Sequence, residues 1–186
     1  PDYRLNSSNA SKDEETRDFV FSQASSFRES LIAQLGTRPL SDLERRITEY
    51  IIGNIDEDGY LRRDIENIVD DLAFGAGIEV SEEEVFRLLK IIQEFEPAGV
   101  GARDLKECLL LQIQHKLNEN PEHKLLQDAK AILEECFEEF SRKHYEKISR
   151  KLRLSDTELK QAIDEILKLN PKPVGTVADF SYGQQA

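Results

Sequence analysis

Short runs of apolar residues at helical spacing, each opened by the same polar signal, constrain the fold of this chain more than any other feature. Three serines are each followed three residues later by a glutamate: Ser41 and Glu44, Ser81 and Glu84, Ser155 and Glu158. This spacing predicts a capping box, in which each side chain binds a backbone N–H of the other residue at the start of a helix. Apolar residues three and four positions apart follow each pair, as in a helix buried along one face. No segment shows the alternation of a strand, so the sequence predicts an all-α fold.

The same periodicity predicts helices between and beyond these three starts. It marks a helix over residues 61–72 and a long helix over about 103–117, whose broad apolar surface indicates burial on two sides. Asn120 followed by Pro121 predicts the start of another helix, which the apolar pattern carries to residue 140. A short helix covers residues 145–152. The short connections imply that successive helices pack together.

Two segments of the chain align without gaps. They are VSEEEVFRLLKIIQEFEPAGVG from Val80 and LSDTELKQAIDEILKLNPKPVG from Leu154. Each follows a short predicted helix and ends at a proline, which is the outline of a helix-turn-helix. A helix that reads a DNA groove presents Arg, Lys, Asn or Gln in its first turn, whereas these first turns carry Glu and Asp. We therefore interpret both segments as packing units, with an autonomous helix-turn-helix DNA-binding regulator as the alternative.

One segment has the opposite charge to the rest of the chain. Between Ser141 and Arg153 the only acid is Glu146. The candidate basic contact residues there are Arg142, Lys143, Lys147, Arg150 and Lys151. They form either a solvated surface that balances the glutamates just upstream, or a contact with a phosphate backbone or an acidic protein surface. Both interpretations stay open at this point.

The stretch GNIDEDGYLRRDI, residues 53–65, resembles a calcium-binding loop. If Asn54 is its first position, the twelfth, which should be a bidentate Glu, is Ile65. We therefore expect no metal site here, but an acidic turn between two helices. Its candidate contact residues are Asp56, Glu57, Asp58 and Tyr60. We expect an exposed acidic loop beside a tyrosine, a residue type that anchors protein interfaces.

Composition excludes several classes of function. The net charge of −12 over 186 residues repels a polyanion at long range. The chain has no long apolar run and no signal-peptide pattern, so we expect a cytoplasmic protein that neither spans nor binds a membrane. Cys108 and Cys136 form no Cys-x-x-Cys pair, and no phosphate-binding loop or catalytic motif occurs. We expect no cofactor, no small-molecule ligand and no enzymatic activity. Since the chain starts with Pro1 and lacks methionine, we expect an excised or processed piece of a larger protein.

Three motifs resemble one known family. They are EYIIGNIDEDGYL at residues 49–61, FEPAGVGARDLKECLLLQI at 95–113 and LKLNPKPVG at 167–175. In order and spacing they closely resemble the core-binding domain of the bacterial RNA polymerase sigma-54 factor. Two departures are Ala98, where many members have a second proline, and Val174, which separates Pro173 from Gly175.

The resemblance implies a non-catalytic domain that binds core RNA polymerase. It implies two helical subdomains sharing the long connecting helix, a bundle over residues 23–118 and a helix-turn-helix-like unit over 119–175. Residues 1–22 would be a flexible linker, and 176–186 a tail or linker toward a missing DNA-binding domain. In the full-length protein the further partners would be promoter DNA and an ATP-hydrolysing activator.

Six turn residues and two charged residues complete the candidate site. The expected turn residues are Gly59, Pro97, Gly99, Gly101, Pro171 and Pro173. We expect the glycines to adopt backbone conformations with positive φ. Arg103 and Asp104 would either pair with each other or cap the long helix, or present a charged edge to polymerase.

Overall fold

A computed structural model describes residues 26–174 of the chain. Within that range it is built of helices joined by turns, and the only strand-like pairing is two isolated bridges, from Ile55 to Leu61 and from Tyr60 to Ala102. The all-α prediction is therefore confirmed for these residues. The helices are α1 (described over residues 26–35), α2 (Asp42–Gly53), α3 (Ile65–Ala76), α4 (Glu82–Ile92), α5 (Leu105–Glu119), α6 (Lys124–Glu135), α7 (Phe137–Ser141), α8 (Tyr145–Leu152) and α9 (Asp156–Leu167).

The predicted capping boxes are complete at two of the three serines. Ser41 begins α2 and Ser155 begins α9, and each exchanges hydrogen bonds of 2.9 and 3.1 Å with the glutamate three residues on. At Ser81 the box is half formed, which corrects the prediction. The serine accepts from the Glu84 N–H at 3.1 Å, but the Glu84 carboxylate accepts from the Arg87 guanidinium at 2.6 and 3.0 Å. This contact is a bidentate ion pair, which is stronger than a single carboxylate bond to a backbone N–H.

Two predicted boundaries in the second half of the chain are wrong. The helix expected at Asn120 begins at Lys124, because residues 120–123 form a turn in which the Pro121 carbonyl accepts from the Gln127 side chain at 2.7 Å. The helix expected to continue to residue 140 is interrupted at Cys136, whose backbone at φ −133° and ψ 31° is not helical. The apolar pattern continues through the interruption, since Phe137 and Phe140 pack on the same core.

The apolar residues form two large clusters. The first cluster gathers buried side chains from α1 to α4 and from the turn after α4, ending at Val100. The second cluster gathers buried side chains from α5 to α9, between Leu109 and Leu169. α5 is buried on two sides, as its wide apolar surface predicted. Its Leu109 packs in the second cluster, while Cys108 packs with Tyr60 and Ala102 in a third, small cluster.

Some expectations fall outside the described residues. The proposed linker over residues 1–22, the tail over 176–186 and Gly175 belong to the part of the chain that the structure does not describe. Between residues 26 and 174, no helix has the length and apolar character needed to cross a membrane.

Candidate functional site

The acidic turn between α2 and α3 is held by its own first carboxylate. The Asp56 Oδ1 atom accepts from the backbone N–H groups of Asp58 and Tyr60, both at 3.0 Å. The Gly59 N–H donates to the Asp56 carbonyl at 2.9 Å, and the Asp56 N–H donates to the Tyr60 carbonyl at 2.8 Å. The Asp56 side chain is thus committed to the conformation of the turn, a common use of Asp in tight turns.

The turn after α4 pairs with this acidic turn through the backbone. The Gly101 N–H donates to the Gly59 carbonyl at 2.8 Å, and the Leu61 N–H donates to the Ala102 carbonyl at 2.9 Å. Gly99 and Gly101 have φ values of 97° and 80°. The buried Gln93 side chain closes the turn, since its amide donates to the Gly101 carbonyl at 2.9 Å.

The segment after α9 reaches the same acidic turn. The Val174 N–H donates to the Asp58 carbonyl at 3.2 Å, and the Tyr60 hydroxyl donates to the Pro171 carbonyl at 2.5 Å. Gln112 of α5 holds Asn170, donating to its carbonyl at 2.6 Å and accepting from its N–H at 2.9 Å. The ends of the two aligned segments therefore meet at one place. We call residues 56–61, 97–102 and 170–174 together the junction.

Gly59 lies where the junction has no room for a side chain. Its φ is 98°, a conformation that residues with a Cβ rarely adopt. A Cβ there would lie 2.8 Å from Pro173 Cγ and 3.0 Å from Val174 Cγ2. The glycine therefore permits both the bend of the acidic turn and the close approach of the last segment.

Tyr60 is not the exposed aromatic that the sequence suggested. It is 4% exposed, because the segment after α9 covers it. Burial is the main cause that raises the pKa of its hydroxyl, and the neighbouring Cys108 adds to the effect. The pKa of the buried Cys108 thiol is raised as well, mainly by burial. Of the predicted acidic loop, Glu57 is exposed, and Asp56 and Asp58 are half-buried.

Arg103 and Asp104 stabilise the start of α5. Asp104 is the N-cap and accepts from the Glu107 N–H at 2.8 Å. Arg103 pairs with the Glu107 carboxylate at 2.9 Å and lies over the Phe86 ring at 5.0 Å. Burial would raise the pKa of Glu107, but the hydrogen bonds from Arg103 and the charges of Arg103 and Lys90 outweigh it and hold that pKa below its usual range. Arg103 and Asp104 nevertheless stay exposed at the edge of the junction.

Comparison with known proteins identifies the family. Residues 17–184 match the model of the protein family described as "Sigma-54 factor, core binding domain". The chain belongs to this family. Two proteins named RNA polymerase sigma-54 factor are 36% identical over 92% of the chain (Azotobacter vinelandii) and 35% identical over 90% of it (Pseudomonas aeruginosa). That of Escherichia coli is 33% identical over 77% of the chain. The chain spans about a third of the length of these relatives, 34%, 33% and 29% in turn.

The three motifs that resembled the sigma-54 core-binding domain are the three segments of the junction, extended into their flanking helices. They lie far apart in sequence, yet they contact one another through backbone and buried side-chain hydrogen bonds. The motifs by which the family is recognised are therefore largely the segments that hold the helices together.

A groove of about 520 Å³ lies beside the junction, between the starts of α3 and α4. Its arginines are already paired within the chain: Arg62 with Asp56, Arg63 with Asp71, and Arg103 with Glu107. Its acids, by contrast, have no ion-pair partner among residues 26–174. They are Asp64, Glu66, Glu82 and Glu83. The location that these four acids share could not be inferred from helix periodicity.

The basic residues predicted as a contact patch lie around α8. All five, from Arg142 to Lys151, are exposed, and they lie on the second cluster's side of the chain rather than in the junction. The structure thus separates the two groups of candidate residues that the sequence suggested.

Proposed function

We propose that this chain is the core-RNA-polymerase-binding part of a sigma-54-type transcription initiation factor, a non-catalytic module of activator-dependent initiation. The observation that carries the proposal is the family match over residues 17–184, which includes all three junction segments. Promoter DNA and an ATP-hydrolysing activator would be partners of the full-length protein through regions outside this chain.

We further propose that the chain comprises two helical subdomains joined by α5. The separate first and second clusters support this division. Because Leu109, Ile113 and Leu117 of α5 pack in the second cluster, the packing favours a boundary before α5 over one at residue 118. The junction would then be the place where the two subdomains meet.

The proposed polymerase contact is the exposed acidic face next to the junction. It comprises Glu57, Asp58 and Asp104, the exposed Arg103, and the acids of the groove. Since the groove's arginines are paired internally, the face presents unpaired negative charge to a basic protein surface. Asp56 and Tyr60 would act indirectly, by keeping the turn in shape.

Co-migration with core polymerase tests the proposal. The chain should elute with core enzyme in size-exclusion chromatography, and the double variant Glu57→Lys, Glu83→Lys should bind at least tenfold more weakly, mainly through slower association. The matched control is Glu119→Lys, Glu122→Lys, which makes the same charge change at exposed residues at the end of α5 and just after it. Absence of any complex would refute the function, whereas equal weakening by both double variants would refute only the assigned face.

The alternative function, an autonomous helix-turn-helix regulator, is disfavoured by α9. Its first turn carries Asp156 and Glu158, and Glu158 is held in the capping box rather than free to contact a base. Two acids at the position that would enter the major groove would be repelled by the phosphates on either side.

A further inference from the structure

Helix α8 and its two flanking turns form a concentrated positive surface on an acidic chain. Residues 141–153 contain six basic residues and one acid, while the whole chain has a net charge of −12. Among these six, Lys143, Lys147 and Arg153 have no carboxylate or carbonyl partner within residues 26–174. Arg150 and Lys151 bind only backbone carbonyls, of Glu146 and Glu135, so their charges are not neutralised.

The surface has a defined shape because α8 is strongly two-sided. Ile148 is fully buried, and Tyr145 and Leu152 pack against the same second cluster. The opposite side carries Lys147 and Arg150, which a helix places next to each other, and Lys143 lies in the turn just before α8. No large apolar side chain of residues 141–153 is exposed. The surface therefore offers charge without an apolar anchor.

Two of the cations occupy backbone positions that usually take glycine or asparagine. Lys143 before α8 and Arg153 after it have φ values of 61° and 57°. A residue with a Cβ adopts this region at a greater cost in free energy than glycine does. Lys143 and Arg153 thus place long basic side chains at the two ends of α8, at positions where glycine would relieve the backbone strain.

The arrangement of α8 and α9 indicates what kind of partner fits. In a helix-turn-helix the first helix crosses the phosphate backbone and the second enters the major groove. Here the basic residues are on the first helix, and the acids of α9 oppose groove entry. The core of a stable protein interface is apolar, and the groove beside the junction offers Ile65 and Phe86 for this purpose. The α8 surface exposes no large apolar side chain, whereas phosphate contacts need only exposed cations.

We propose that the α8 surface binds the phosphate backbone of duplex DNA without reading its sequence. Lys143, Lys147 and Arg150 contact successive phosphates along one strand, with Arg153 at the end of the row. The contact goes beyond the proposed polymerase-binding function and is independent of it.

Fluorescence anisotropy with a labelled duplex tests the proposal. We expect weak binding of the chain at low salt, with a dissociation constant on the order of 10⁻⁵ M that is the same for unrelated sequences. The variant Lys143→Ala, Lys147→Ala, Arg150→Ala should bind at least tenfold more weakly. Its slope of log affinity against log salt should be smaller by about 2 to 3, since each phosphate contact contributes about 0.9.

Two further variants separate local contact from net charge and from misfolding. The control Arg46→Ala, Lys116→Ala, Lys160→Ala removes the same charge from exposed sites on α2, α5 and α9, and should bind DNA nearly as well as the parent chain. The variant Lys143→Gly, Arg153→Gly relieves both strained positions, so it should keep its melting temperature while losing affinity for DNA.

Four results would overturn the proposal. They are no salt-dependent binding by the parent chain at low salt, equal loss in the two alanine triples, full affinity in the glycine variant, and polyglutamate binding as tightly as duplex of equal charge. Core polymerase binding separates the two functions. The Lys143, Lys147, Arg150 triple should retain it, which would place the DNA contact and the polymerase contact on different surfaces.

Discussion

Removing one oxygen atom at Tyr60 should measure how strongly the junction is held. In Tyr60→Phe the ring stays in its buried place, but the hydroxyl that donates to the Pro171 carbonyl at 2.5 Å is lost. A net hydrogen bond contributes about 1 kcal/mol, and the half-buried carbonyl would keep only the Cys108 thiol as a donor, at a long 3.9 Å. We expect the free energy of unfolding to fall by about 1 to 2 kcal/mol.

Tyr50 offers a matched control for this substitution. Its hydroxyl also makes a short bond, 2.6 Å to the Asp71 carboxylate, but Tyr50 is 37% exposed and Asp71 keeps its bonds to Arg63. Tyr50→Phe should therefore cost less than about 0.5 kcal/mol, as for other surface substitutions.

Urea denaturation followed by circular dichroism measures both changes. With a urea dependence of about 2 kcal/mol/M, Tyr60→Phe should lower the midpoint by about 0.5 to 1 M, and Tyr50→Phe by about 0.2 M or less. The melting temperature of Tyr60→Phe should be lower than that of the parent chain by about 3 to 6 °C. Equal effects from the two substitutions would refute the reasoning that burial of Tyr60 makes its bond to the Pro171 carbonyl important.

Further predictions concern the acidic turn and the start of α5. Gly59→Ala should lower the free energy of unfolding by about 2 kcal/mol or more, because φ is 98° and Pro173 is too close. Gly53→Ala at the open end of α2 should raise the free energy of unfolding by about 0.5 to 1 kcal/mol. Similar denaturation midpoints for the two variants would contradict this. The lowered pKa of Glu107 contributes stability that is present above its unfolded pKa and is lost as pH falls through its folded pKa. Glu107→Gln should therefore melt lower than the parent chain at pH 7, with a difference that shrinks toward pH 3, and a difference independent of pH would exclude the ionised carboxylate as its source.

Local physical chemistry made the helices predictable. A capping serine and a stripe of apolar residues act within a few neighbouring positions, so Ser41 and Ser155 begin helices as expected. The errors arose where two local interactions compete, as when Glu84 binds Arg87 instead of completing its box. The interruption at Cys136 has no sequence signal, because the apolar pattern passes through it unchanged.

The sequence by itself determined the all-α fold, the family and the charge asymmetry between the acidic chain and α8. Each depends on residue type and spacing along the chain, which periodicity and motif comparison detect. Only the tertiary structure decided that Tyr60 is buried, that Asp56 holds its own turn, and that residues 97–102 and 170–174 converge on that turn. Those contacts join groups far apart in the chain, as with Tyr60 and Pro171, which are 111 positions apart. No neighbouring residue of Tyr60 indicates whether its hydroxyl binds water or the Pro171 carbonyl. An acidic turn with a tyrosine has the same sequence whether its aromatic ring faces another protein or the end of its own chain.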